Sequence, residues 1–178
     1  YKLMTLLKHL HSRYMNTDLH RVWVNENEGI AVFPVWNLSN QFIGYQQYRP
    51  DKSKEKNNNP LEGRYFTRIK DGKVGVWGLE SWDLSNTLFV TEGIFDACRI
   101  TNLGYSAIAT FGNDIGNTTK SWLWMIRKTR KVVTVCDNDN DGAGLKLAKY
   151  GNVSITVSDY KDLGEAPNEY ILDLIRNN

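Results

Sequence analysis

The acidic residues in the second half of the chain fall in a pattern. "VTEGIFD" places Glu92 and Asp96 directly after a run fit for a buried strand, "CDNDNDG" places Asp137, Asp139 and Asp141 after another, and "SDYKDLGE" places Asp159, Asp162 and Glu165 after a third. Alternating aspartates repel one another, and a strand that needs only a turn can end on one Asn or Asp at far lower cost. A solvated Asp/Asn/Gly turn accounts for any one of these stretches alone. Acids emerging at three strand ends of one parallel sheet converge on a single pocket, because the connecting loops gather at the carboxyl ends. A hard divalent cation is the natural filler: Mg²⁺ takes oxygen ligands, keeps several waters and bridges carboxylates to phosphate oxygens.

The elements that must position these acids follow from Thr87 onward as strand, helix, strand, helix. Strands are predicted over 87–91, 105–111, 131–136 and 153–157, with helices over 94–103, 118–128, 143–150 and 167–176, the last with Pro167 in its first turn. Four such units imply an α/β unit over 87–178, a four-stranded parallel sheet flanked by helices with right-handed crossovers. The first half has a different rhythm. Leu3, Leu6, Leu7 and Leu10 stand at helical spacing. Runs over 30–36 and 42–49 flank Asn37-Leu38-Ser39-Asn40 as a hairpin, "DKSKEKNNNP" reads as a mobile loop, and "RYFTRIKDGKVGVWGL" resumes strand-like residues around an Asp71-Gly72 turn. Residues 1–86 are therefore expected to form a small antiparallel, β-rich subdomain.

Composition excludes several classes. No apolar run approaches the roughly 20 residues of a membrane span, and the opening "YKLMTLLKHLHSRY" lacks the apolar region of a signal peptide, so no membrane partner and a cytoplasmic location are expected. Cys98 and Cys136 are too far apart for a zinc ribbon or a disulfide framework and read as buried free thiols; His9, His11 and His20 read as packing or surface residues. The net charge of +2 decides nothing, but the basic residues cluster. Arg49, Lys52, Lys54, Lys56, Arg64, Arg68, Lys70 and Lys73 form one group; Lys120, Arg127, Lys128, Arg130 and Lys131 form a second. A solvated face and a phosphate-binding face are both consistent with such runs. The three lysines of the 50s loop, Lys52, Lys54 and Lys56, suit non-specific phosphate contacts.

In this order and spacing, "VTEGIFD", "TFGND", "CDNDNDGAG" and "KDLGEAPNEY" resemble the topoisomerase-primase (Toprim) domain over about 90 residues, from Thr87 to Ile175. The resemblance implies that Glu92, Asp137 and Asp139 form the catalytic, metal-binding acidic set, with Asp162 a further acid. Asp141 stays a candidate metal ligand because the register can pair 137 with 139 or 139 with 141. The basic first half is similar to the subdomain that precedes Toprim in DnaG-type bacterial and phage primases. Carried over by position, Arg49, Arg64 and Lys73 become nucleotide- and template-binding residues. Tyr45, Tyr48, Tyr65 and Phe66 either stack template bases or form core and cross-strand pairs.

The implied activity is that of a nucleotidyltransferase. It would synthesise short RNA primers on single-stranded DNA, with Mg²⁺ (or Mn²⁺) as cofactor and ribonucleoside triphosphates as substrates. Type IA topoisomerases need a far longer chain with a nucleophilic tyrosine domain. No Cys/His quartet and no phosphate-binding loop occur, so a zinc ribbon and a replicative helicase are expected as separate parts or partners, and the missing initiating Met suggests a piece of a longer protein. A small Toprim nuclease and a non-catalytic replication accessory protein are the rival readings.

Overall fold

A computed structural model describes residues 3–55, 58–84, 86–139 and 141–178. Helix α1 (Leu6–Ser12) begins where the Thr5 hydroxyl accepts the Lys8 N–H at 3.2 Å. The Glu26 carboxylate accepts the Leu6 and Leu7 N–H groups at 2.8 and 3.0 Å, so a distant side chain completes the cap. Leu6 and Leu10, one turn apart, are buried.

Four antiparallel strands follow in the order β1-β2-β3-β4: Trp23–Asn25, Ile30–Trp36, Phe42–Tyr48 and Tyr65–Ile69. The 30–36 and 42–49 runs pair as expected, with Asn40 taking a left-handed φ of 62° in the turn. β1 has no counterpart in the sequence reading, since three residues are too few to show a period. The Asp71-Gly72 turn forms, with Lys73 N–H donating to Lys70 O at 3.2 Å, but the returning segment does not pair with β4. It crosses instead to the parallel sheet, where Trp77 exchanges backbone hydrogen bonds of 2.8 and 3.0 Å with Ala109. Burial explains the detour: Val76 and Trp77 are fully buried there, whereas the outward residues of β4 are exposed. His20 reaches the same segment from the N-terminal side, bonding Glu80 at 2.5 Å and packing on the Trp77 ring at 4.1 Å.

The second sheet is parallel in the order β6-β5-β7-β8, from Ser106–Ala109, Leu88–Thr91, Val132–Cys136 and Val153–Thr156. The inner strands β5 and β7 and the edge strand β6 are buried at every position, as a sheet covered on both faces requires. Alternate residues supply the two faces. Phe89, Val133, Val135 and Ile155 pack with α2 (Ile94–Thr101) and α4 (Asn168–Arg176), together with Phe33 and Tyr48 of the antiparallel sheet. Leu88, Val90, Val132 and Cys136 pack with α3 (Asn117–Ile126), the 143–150 segment and Trp82. Both cysteines are free and buried. No helix of the described residues is long and apolar enough to cross a membrane.

Two boundaries differ from the sequence reading. Residues Ala143–Tyr150 wind as a 3-10 helix rather than an α-helix. Its buried residues, Gly144, Leu147 and Tyr150, recur every third position, the period of a 3-10 turn. Pro167 is the N-cap of α4, one place before the first turn. The connection into α4 is held by Arg99 on α2, whose buried guanidinium donates to Leu163 O (2.9 Å), Gly164 O (3.1 Å), Ala166 O (2.6 Å) and Asn168 Oδ1 (3.0 Å). Arg99→Met strands these acceptors and is expected to destabilise the fold by about 3–5 kcal/mol. An unchanged urea midpoint would remove Arg99 from this role.

Candidate active site

The chain leaves β5 for β6 on one side and returns to β7 on the other, so β5 and β7 diverge at their carboxyl ends and open a crevice there. Glu92 follows β5 directly; Asp137 and Asp139 follow β7. Asp162, beyond β8, caps residues 163–165, its Oδ1 accepting Glu165 N–H at 3.2 Å. Gly144 lies directly beneath the β7 loop: a Cβ there would fall 2.4 Å from Asp137 O and 3.1 Å from Asp139 Oδ2. The glycine lets the following segment press against the loop that carries both aspartates.

The carboxylates perturb one another. Burial, then Asp96, Glu92, Asp162 and Asp139, push Asp137 up to about 8. Burial and Asp162 push Asp96 up to about 7, partly offset by the Gly164 N–H that donates to its Oδ1 at 3.2 Å. Burial and Asp139 raise Glu92, while a hydrogen bond with the Asn113 side chain opposes them. Asp141 behaves differently. It is exposed and its Oδ1 accepts Ala143 N–H at 2.9 Å, the turn role that the sequence left open for it.

Among the described residues no three His, Cys, Asp or Glu side chains group closely enough, as they stand, to hold a metal ion. The chemistry of the donors nonetheless suits a hard cation. They are all oxygen, the Glu92 Oε2 is buried without a hydrogen-bond partner among the described residues, and burial followed by mutual repulsion raises Asp137 and Glu92, a shift that a nearby cation would oppose.

The antiparallel sheet closes one side of this edge through β4. Burial raises the Tyr65 hydroxyl; Arg13 and Arg64 act against that shift, and Asp96 and Asp162 with it, so Tyr65 stands between the cations of the first half and the acids of the second. The Arg13 guanidinium lies 4.0 Å from the centre of the Phe95 ring. Arg64 is half-buried and spends its Nε on Lys52 O at 2.7 Å, fastening the base of the 50s loop. Arg49 donates its backbone N–H to Arg64 O at 2.8 Å, and its buried Nε has no partner among the described residues. Lys73 lines a groove of about 340 Å³ between the 70–75 turn and the segment that runs from Thr110 into the first turn of α3. Tyr48 is core, stacked on Tyr65 at 5.2 Å and on Phe33 at 5.7 Å, and Tyr45 packs on Phe66 at 6.3 Å, so these aromatics form core and cross-strand pairs. Lys52 and Lys54 are exposed on the loop, and Lys56 lies outside the described residues. Replacing all three with Ala is expected to weaken single-stranded DNA binding and to lower the salt slope by about 2. An unchanged slope would take the loop off the binding surface.

Three neighbours of the acids had no assigned part in the sequence reading. Asp96 had a signal, its position one helical turn beyond Glu92 in "VTEGIFD". Asn113 stood in the "TFGND" stretch without a role of its own, and Arg13 had no signal, because only the tertiary fold carries it to this edge.

No protein-family model matches the chain, and no curated protein sequence matches it. Its fold is similar to solved primase structures. Against the primase fragment of the bacteriophage T7 primase-helicase protein the TM-score is 0.67 at 15% identity, covering 89% of this chain and 69% of that one. Against the RNA polymerase domain of Mycobacterium tuberculosis primase DnaG it is 0.61 at 16% identity, covering 96% and 65%. Against a DnaG primase catalytic domain bound to ssDNA it is 0.58 at 15% identity, covering 96% and 58%. The chain thus has the fold of DnaG-type catalytic cores and spans 58–69% of the length of these structures.

Proposed function

We propose that this chain is a DNA primase catalytic core, a nucleotidyltransferase that joins ribonucleotides into short RNA primers on a single-stranded DNA template. The observation that carries this reading is the convergence of Glu92, Asp137, Asp139 and Asp162 from three strand ends at the switch point of a sheet with the primase-core topology. Glu92, Asp137 and Asp139, with Asp162 beside them, would hold Mg²⁺ (or Mn²⁺). The ion would supply positive charge against the phosphates and lower the pKa of the attacking hydroxyl. The turn role of Asp141 favours pairing 137 with 139.

The other residues bind and orient. Arg49, with its unsatisfied buried Nε, and Lys73, in the groove beside the site, suit triphosphate or template phosphate. Arg64 holds the loop that presents Lys52 and Lys54. Residues 1–86 would be the nucleic-acid-binding unit and 87–178 the catalytic unit, joined by a continuous core. A replicative helicase, in the same protein or separate, and a zinc ribbon supplied elsewhere are the partners this reading calls for.

The test is template-directed synthesis with labelled ribonucleotides, Mg²⁺ and single-stranded DNA. Short labelled products that require both template and ribonucleotides are expected. Cleavage of labelled DNA without nucleotides would make the chain a Toprim nuclease instead, and neither activity alongside DNA binding would make it an accessory protein.

A further inference from the structure

The second basic group lies away from the cations of the first half. From Ile115 to Cys136 the chain carries five Lys/Arg side chains and no acid. Three of the five serve the fold: Arg127 donates to Lys149 O at 2.8 Å, Arg130 to Leu84 O at 2.6 Å, and Lys131 to Asn178 O. Lys120 and Lys128 make no ion pair among the described residues, nor do Lys146 and Lys149 on the neighbouring 3-10 segment. Trp124 stands between the first two, four residues from each: Lys120 lies one turn before it on α3, and Lys128 lies two residues past the end of the helix.

Trp124 is 44% exposed, although it is a large apolar ring on a helix whose inner side, Leu123, is fully buried. It is also held in place, its ring packed at 5.6 Å and 41° on the buried Tyr150, over which Lys149 Nζ lies at 5.3 Å. A fixed, half-open indole on segments that also carry Lys side chains without ion pairs among the described residues matches the two needs of a single polynucleotide strand: a stacking surface for a base and cations for its phosphates. A neutral apolar protein partner would bury the ring but would leave four like charges without counterparts, whereas a polynucleotide supplies both a stacking base and regularly spaced anions. The face also continues from the acidic edge, since the 3-10 segment starts at Ala143, capped by Gly142, and its Gly144 supports the Asp137–Asp139 loop.

We infer that the outer side of α3 and residues 143–150 form a second contact surface for single-stranded nucleic acid, with Trp124 as the stacking platform and Lys120, Lys128, Lys146 and Lys149 as phosphate contacts. It extends the reading of the chain as a nucleic-acid enzyme by a surface that takes no part in the chemistry. A strand engaged at the acidic edge runs on along this face, DNA or RNA alike, because neither the ring nor the ammonium groups read the sugar.

The test is anisotropy of labelled 30-nucleotide DNA and RNA strands across a salt series, with the whole chain and Mg²⁺. Replacing Lys120, Lys128 and Lys149 together by Gln is expected to weaken binding about tenfold at low salt and to lower the log–log salt slope by about 2. Trp124→Ala is expected to weaken binding about tenfold, and Trp124→Phe to restore most of it. A loss for only one polymer would mean that the face reads the sugar and would overturn the proposal that DNA and RNA bind it alike. Unchanged binding in the lysine variant overturns the surface, as does a change confined to self-association in sedimentation. Binding is read without chemistry, so a chain that makes no primers but loses affinity in these variants refutes the proposed function and keeps the surface. Primer synthesis with unaltered variant binding does the reverse.

Discussion

In Glu92→Gln, primer synthesis is expected to fall by about a thousandfold or more while affinity for single-stranded DNA stays at the wild-type value. The substitution keeps the length of the side chain and a hydrogen-bonding partner for Asn113, and it removes one charge from the point where β5 and β7 diverge. Glu92 Oε2 has no other partner among the described residues, so no packing interaction is lost with the charge. Template affinity, on the reading proposed above, rests on Lys and Arg side chains of both halves and should be insensitive to that change. Activity and binding would be measured on one preparation at saturating template. A parallel decline in both would mean that Glu92 supports the fold or the template site, and its assignment to the chemistry would be wrong.

Asp137→Asn is expected to abolish synthesis and, without divalent metal, to make the protein more stable at pH 8.5. The folded state raises this carboxyl from the ordinary 3.8 to about 8, so it binds a proton that the unfolded chain releases. The associated stability is present below about pH 4 and is lost as the pH rises through 8. Wild-type protein at pH 8.5 therefore carries a half-buried charge among Asp96, Glu92, Asp162 and Asp139 that the amide does not. The melting temperature of the variant should exceed that of wild type by about 2–4 °C for each kcal/mol of repulsion relieved. The gap should narrow as the pH is lowered toward 4.5, and saturating Mg²⁺ should reverse the order. A variant that melts below wild type at pH 8.5 in chelator would show that Asp137 is held by favourable contacts, against the crowding described here.

The parallel half was legible because its strands are buried on both faces and read as uninterrupted apolar runs, each followed by turn residues and a helical period. The acids at the strand ends could be placed with it, since a parallel sheet allows only one edge for them. Elements whose form depends on partners far along the chain were not legible. Residues 73–77 look like the second strand of a hairpin, yet Trp77 pairs with Ala109 because the edge of β6 offers burial that β4 does not. The 143–150 segment has the composition of an α-helix, but contact with the aspartate loop at Gly144 and a three-residue burial period select the tighter winding. Arg13 belongs to a stretch with no chemical signature, and only the docking of α1 brings it near Asp96.

Phe33 and Tyr48 of the antiparallel sheet are covered by Phe95 of α2, at ring distances of 6.0 and 5.1 Å. This arrangement constrains how the protein can emerge from a ribosome. At about 5–20 residues per second, the ring that covers Tyr48 is made roughly 2–10 s after Tyr48 itself. The helix carrying it docks against strands synthesised later still, because β5 needs β7 beside it before the parallel sheet can close. During that interval the nascent first half presents an open aromatic surface next to a row of basic side chains. The last acidic ligand candidate, Asp162, is made after every strand of both sheets, so the group of acids cannot assemble before the parallel sheet has all its strands.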